Sequence, residues 1–361
     1  MRSTEPVLLD VLSDSFSRVL EVDVLHGTDP VATGVLVESW SLSGDLSRDP
    51  KVTGSVRFVR ESVAGESWVP EGTKGVLSPF KATLQLTEVI SAGTFERRVQ
   101  LGLFDVVAVP FAEDTIVRVN GRDVVTVSTV EVDVESLDGR VLGASFESPR
   151  KSLTSALAEW RAVGLLPVAV SVPDASVSGV WPAEQGSRLD DVLACGKALG
   201  GVPVVDSFGQ WVLADGSGSV ARVGLGEHGT VVDVSHSIDL DNFYNVVVGD
   251  YEDDKGNPIR AVAEATGDLS PAAMGRRIVR FHESDKVKTQ ASANQAVRSV
   301  LDLYTRRDVD TVVTCVYSPL VELGDVAVVD GWVRPVSGVV QAFSMSDAET
   351  MQLTIRERLA W

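Results

Sequence analysis

The sequence predicts a mainly β chain with a small α/β insertion, an α+β protein, and three observations carry that reading. Apolar and polar residues alternate through residues 21–136 and again through much of 221–361, and period two marks half-buried strands. Helical stripes are few and short, and two of them fall between 137 and 220. With 361 residues, 44% of them hydrophobic and 23% charged, the chain is long enough for two or three domains with real cores.

Residues 1–20 read as an N-terminal arm or helix leading into the first β-rich region, 21–136. Between Val37 and Trp40 the apolar phase changes, which predicts a bulge or a bend. Val56 and Phe58 alternate with Ser55, Arg57 and Arg60. Phe80, Ala82, Leu84, Leu86 and Ile90 alternate with Lys81, Thr83, Gln85 and Thr87. After a turn at Ser91-Ala92-Gly93, Phe95, Val99, Leu101 and Leu103 continue the period. Asn120-Gly121 is the strongest short hairpin signal, and Val130, Val132 and Val134 form the strand that follows. Short strands separated by Gly, Ser and Asp predict a sandwich or small barrel.

The texture changes over 137–220. Leu153, Ala156, Leu157, Trp160 and Val163 make a helical stripe, with Ser152 as its cap and Gly164 as its stop. A strand is expected at Leu166–Val172. SRLDDVLACGKALGGVPVVDSFGQWVL (187–213) reads as helix, glycine stop and tight hairpin. Ser187 is its expected N-cap, with Asp190 three residues on where a capping box places an acid. Leu189, Val192, Leu193 and Leu199 share a face, and Gly200-Gly201 ends the helix. Val202–Val205 and Gln210–Leu213 then pair across Asp206–Gly209.

The last region, 221–361, is again mainly β with one long helix. FYNVVVGD (243–250) and Pro258–Ala263 bracket an acidic turn. A helix over Thr289–Tyr304 places Ala293, Val297, Val300, Leu301 and Tyr304 along one face. Strands are expected at Asp310–Val316, Asp325–Val329, Val336–Ser346 and Thr350–Arg356.

Charge and motifs exclude more than they nominate. With 32 basic and 51 acidic residues the net charge is −19, so counterion release from DNA cannot drive binding; such a surface keeps a protein soluble and lets DNA pass without sticking. No run of about 18 apolar residues occurs, so no membrane span is expected. The N-terminal stretch carries acids through its apolar part and lacks a signal-peptide core, so cytoplasmic assembly is expected. Cys195 and Cys315 match no metal or redox spacing and read as small buried residues.

GLGEHG (224–229) fits G-x-G-x-x-G, but Thr230–Val234 reads as a strand where a nucleotide site needs a helix. It is expected to be a loop between domains. In DYEDDKGN (250–257), Asp250, Glu252 and Asp254 take the first ligand positions of a calcium loop. Gly256 then comes one place late and Ala261 stands where the bidentate Glu should be, so a solvated hairpin tip is expected. His26, His228, His236 and His282 form no zinc spacing, and no G-x-S-x-G occurs. Among 51 carboxylates no glycosidase pair is marked out. The tryptophans, Trp40, Trp68, Trp160, Trp181, Trp211, Trp332 and Trp361, are expected in cores and interfaces. No catalytic, cofactor-binding or metal-ligating residue is nominated, and no cofactor is expected.

The order of motifs in the second half resembles the tail-hub proteins of long-tailed bacteriophages, the baseplate-hub or tail-associated minor tail proteins, most closely those infecting actinobacteria. SFESPR (145–150) with its following helix, then RLDDVLACGKALGGVPVVDSFGQWVL, FYNVVVGDYED (243–253), SPAAMGRR (270–277) and SPLVELGDVAVV (318–329) carry it. The likeness is good over 135–360 and loose before. It departs from the family in having no C-terminal lysin or fibre domain, since Trp361 follows the last strand. The resemblance implies two β-barrel-like hub domains flanking the α/β insert. It also implies a non-enzymatic homotrimer at the virion tail tip that joins the distal tail protein or tail tube to tip or fibre proteins. DNA and the tape-measure protein would pass through it. Two rivals make different demands: a cell-wall-degrading enzyme of phage entry needs a cleft with paired carboxylates or a metal, and a carbohydrate-binding adhesin needs tryptophans exposed on one face.

Overall fold

The computed structural model describes residues 6–62, 66–216, 220–223, 230–237, 243–253, 255–284, 287–305, 308–329 and 335–358. The chain divides into two compact units, residues 1–234 with 312–355, and residues 235–311 with 356–361.

The first unit opens with helix α1 (Pro6–Leu12). Seven strands follow: β1 (Ser17–His26), β2 (Asp29–Leu36), β3 (Ser39–Asp45), β4 (Val52–Glu61), β5 (Ala82–Ala92), β6 (Phe95–Val119) and β7 (Arg122–Ser136). The insert contributes α2 (Asp138–Gly143), β8 (Arg150–Lys151), α3 (Ala156–Val163), β9 (Val180–Trp181), α4 (Ser187–Leu199) and the hairpin β10 (Val202–Val205) and β11 (Trp211–Ala214). Next come β12 (Val220–Val223), β13 (Val231–Ser237), β14 (Val246–Glu252), β15 (Pro258–Glu264), α5 (Pro271–Met274), β16 (Val279–His282) and α6 (Gln290–Thr305). The chain finishes with β17 (Asp308–Val316), β18 (Val326–Val329), β19 (Val336–Ser346) and β20 (Thr350–Arg358).

The main sheet runs β13-β17-β20-β19-β3-β4-β7-β6-β5-β1-β2, with β18 pairing β19 and β12. Residues 342–346 of β19 pair antiparallel with β3, so strands from both β-rich stretches share one sheet. The path has free ends at β13 and β2. The expected barrels therefore do not close within one chain among the described strands. Alternation works as read: Leu84, Leu86, Ile90, Val130, Val132 and Val134 are buried, each worth roughly 1.5–3 kcal/mol relative to exposure. Phe80 is the exception at 71% exposed, because β5 begins only at Ala82.

The phase change near Val37 is the expected bend: the chain turns at Glu38 as it leaves β2, which pairs with β1, and enters β3, which pairs with β4. Three expectations are corrected. The N-cap of α3 is Ser155, whose Oγ accepts from the Ala158 N–H at 3.0 Å. Ser152 instead exchanges hydrogen bonds with the Gly179 backbone. The N-cap of α4 is Gly186, left-handed at φ 83°, while the Ser187 hydroxyl donates back to the Glu184 carbonyl. Residues 166–172 form no full strand. They run extended beside β11, the Trp211 N–H donating to Pro167 O at 2.7 Å and the Ala169 N–H to Trp211 O at 2.8 Å; a four-residue partner and a proline without an N–H leave room for little more.

Other local readings hold. Asn120 and Gly121 are both left-handed (φ 52° and 79°), the requirement of a type I′ hairpin. Gly200 ends α4 at φ 93°. Its N–H reaches Lys197 O and that of Gly201 reaches Gly196 O, the two bonds of a Schellman motif.

In the second unit, β15, β14 and β16 form a three-stranded sheet. Ala293, Val297 and Leu301 of α6 pack on Val247, Tyr251, Ala261 and Ala263, the helix face the sequence predicts.

Candidate functional site

A cavity of about 330 Å³ lies in the first unit. Leu42, Phe104, Phe343 and Met345 of the sheet and Val204 and Leu213 of the hairpin supply its apolar surface. The hairpin reaches the sheet because its turn is rigid. Asp206 accepts from the Phe208 and Gln210 N–H groups, each at 2.9 Å. The Ser207 carbonyl then receives the Gln100 amide at 2.6 Å.

The polar groups at the wall are occupied by each other. Lys51 is 5% exposed, and its ammonium donates to Arg48 O at 2.9 Å and Asp49 Oδ1 at 2.6 Å. Its N–H donates to Asp138 at 2.8 Å, and Ser136 donates to the same carboxylate. Burial pushes the Asp138 pKa up against those hydrogen bonds. No histidine or cysteine lines the cavity.

Sequence reasoning missed a carboxylate pair in the small lobe. Glu159 of α3 and Asp191 of α4 have no exposed surface. Arg150 grips Glu159 through both guanidinium nitrogens and reaches Asp191 Oδ2 at 3.4 Å. Burial, then the hydrogen bond and charge of Glu159, push the Asp191 pKa up to about 7. Burial also works to raise Glu159, but Asp191, the Leu153 N–H and Arg150 outweigh it and bring its pKa down. One cation faces two carboxylates, so the pair retains a proton. Cys195 lies 3.8 Å from Asp191, and burial with those two acids pushes its thiol up to about 12. The spacing Asp191-x-x-x-Cys195 was visible as i,i+4; the partnership with Glu159 was not. No substrate reaches a pair so enclosed.

The remaining sequence candidates fall apart as chemistry. GLGEHG and His228 lie outside the described residues. Asp254 lies outside the described residues; Asp253 organises the 250–257 turn, accepting from the N–H groups of Lys255 and Asn257 at 2.8 Å and from the Asn257 amide. His26 meets the Val76 carbonyl and His282 the Tyr251 hydroxyl, each at 2.9 Å. Among the described residues no three metal-ligating side chains converge, and no helix is long and apolar enough to cross a membrane. Trp40, Trp68, Trp160 and Trp211 are buried, and Trp181 packs partly against the lobe core. Cys195 and Cys315 are free and buried.

The chain matches no family model and no curated protein. Its fold is similar along nearly its whole length to two solved tail proteins, one of them from a prophage. The tail protein from Neisseria meningitidis MC58 superposes with a TM-score of 0.61 at 11% identity, over 94% of this chain and 96% of that one. The 43 kDa tail protein of prophage MuSo2 from Shewanella oneidensis gives 0.60 at 13% identity, over 94% and 98%.

Proposed function

We propose that this chain is a structural virion protein, the trimeric hub at the distal end of a phage tail tube. Three copies would hold the distal tail protein or tube on one side and tip or fibre proteins on the other. DNA and the tape-measure protein would pass through the opening. The chain would assemble in the host cytoplasm and reside at the tail tip.

The observation that carries this reading is coextensive fold similarity. Two tail proteins match 94% of this chain and are themselves covered to 96% and 98%, so the likeness is not that of one shared module. The net charge of −19 supports a passage that repels DNA rather than holding it. The open sheet ends at β13 and β2 support closure between copies, which would cover edges otherwise left exposed.

The test is the mass of the purified chain by light scattering, with imaging of particles that contain it. A trimer mass and a ring at the tail tip are expected. A monomer at all concentrations, or clearing of purified cell wall in a zymogram, overturns the proposal.

A further inference from the structure

β6 and β7 outrun the sheet that carries them. Thr83, near the start of β5, pairs with Asp105 of β6, and Glu61, at the end of β4, pairs with Val127 of β7. Beyond those points the two strands pair with each other to the Asn120-Gly121 turn. Residues 116–125, IVRVNGRDVV, thus form a projecting two-stranded ribbon. Such a ribbon alone is marginally stable in water.

Its composition is wrong for a solvated loop. Cross-strand pairs share a face, so Ile116 and Val125 lie on one side, and Val117, Val124 and Val119 on the other. Ile116 is 57%, Val117 46% and Val119 49% exposed. A ribbon aliphatic on both faces fits a position between two surfaces. The tip carries Arg118, Arg122 and Asp123, net +1 in a chain of net −19. Arg118 faces Asp123 at 3.9 Å, while among the described residues no acid pairs with Arg122.

The terminal β2 edge of the same sheet has matching properties. Among the described strands β2 is terminal and pairs only with β1. Val31 (42%) and Leu36 (60%) are exposed on it. The β1–β2 hairpin, residues 17–38, holds Arg18 against Glu21, Asp23, Asp29 and Glu38, net −3 with His26 neutral. Arg18 is turned inward to Glu88, and Glu21 and Glu38 already meet Arg98 and Arg57. Asp29 is left to receive a cation from outside.

We propose that the 116–125 ribbon of one copy docks on the β2 edge of the next, pairing aliphatic with aliphatic and arginine with Asp29. This rests on the hub reading and specifies its contact. The ribbon and the edge are different surfaces of one chain, so the contact is head-to-tail, and such contacts close into rings when the rotation allows. Edge pairing adds main-chain hydrogen bonds, and the ribbon side chains supply register.

The test compares the full chain with two variants: residues 116–125 replaced by Asn-Gly, and the milder Val117→Thr/Val119→Thr/Arg122→Glu, which keeps the ribbon. A folded monomer of each is expected where the unaltered chain is a trimer, with trimer loss also favoured by high salt. A Val119→Cys copy mixed with a Val31→Cys copy is expected to give a mixed dimer with a short bismaleimide, the native cysteines being buried. If the unaltered chain is monomeric throughout, the hub reading falls and this contact with it. If both variants remain trimeric and the cross-link fails, the hub reading stands, and the ribbon is assigned to a different tail protein, which overturns this proposal.

Discussion

Glu159 of α3 and Asp191 of α4 lie side by side without exposed surface and share the guanidinium of Arg150. The arrangement ties α3 to α4 through a proton as much as through an ion pair. Removing a partner from such a buried set leaves an uncompensated charge.

The first prediction concerns pH. The Asp191 pKa is raised from 3.8 to about 7 in the folded chain, so the folded state binds more protons than the unfolded one between those values. Stability from this group is fully present below the unfolded pKa and declines as pH rises through about 7, by at most about 1.4 kcal/mol per unit. Asp191→Asn is expected to flatten that decline between pH 5 and 8. Urea midpoints measured across this range check it; an unchanged slope refutes it.

The second concerns Arg18, whose guanidinium stacks 3.8 Å from the Tyr317 ring centroid and pairs with Glu88, 1% exposed. Tyr317 also donates to Glu88 at 3.2 Å. Burial already raises the Glu88 pKa against both partners. Arg18→Met is expected to cost about 3–5 kcal/mol near neutrality, less at acid pH, where the abandoned carboxyl takes a proton. Arg18→Met/Glu88→Gln should recover part of the loss in a double-mutant cycle.

The third concerns Asn245, fully buried in the second unit. Its side-chain oxygen accepts from the Ile278 N–H at 2.7 Å and its amide donates to Arg276 O at 2.9 Å, stitching the entry to β14 beside β16. Asn245→Ala leaves both backbone groups unpaired and is expected to cost roughly 2–3 kcal/mol. Faster amide exchange in β16 than in the main sheet would check that the damage is local.

The fourth concerns the 250–257 turn. Because Asp253 spends its oxygens on Lys255 and Asn257, millimolar calcium is expected to leave Tm unchanged. Asp253→Ala should lower stability, because the turn loses its hydrogen-bond acceptor, with or without calcium. A calcium-dependent rise in Tm contradicts the assignment.

The fifth concerns the thiols. Burial pushes Cys315, and burial with neighbouring acids Cys195, up to about 12. Both are expected to resist a disulfide-exchange reagent at pH 8 and to react on denaturation. Rapid native labelling of either would refute this.

Much of the fold was legible because its signals are local. The alternation at Leu84–Ile90, the Asn120-Gly121 turn, the Gly200 stop and the apolar stripe of α6 all depend on neighbours within a few residues. The cap assignments slipped because Ser152, Ser155 and Ser187 are equivalent in sequence; only backbone direction decides which hydroxyl meets a free N–H. Glu88 was invisible as a core residue, since its burial depends on Arg18 and Tyr317, far away in the chain.

Composition and periodicity by themselves determined that this chain is strand-rich, acidic and interrupted by an α/β lobe, because side-chain period and charge are properties of short segments. Tertiary structure decided that β3 joins β19 in one open sheet, that Glu159 meets Asp191, and that residues 116–125 project beyond their supporting strands. Those facts depend on contacts between distant segments, whose closure is rewarded by burial that no local pattern records.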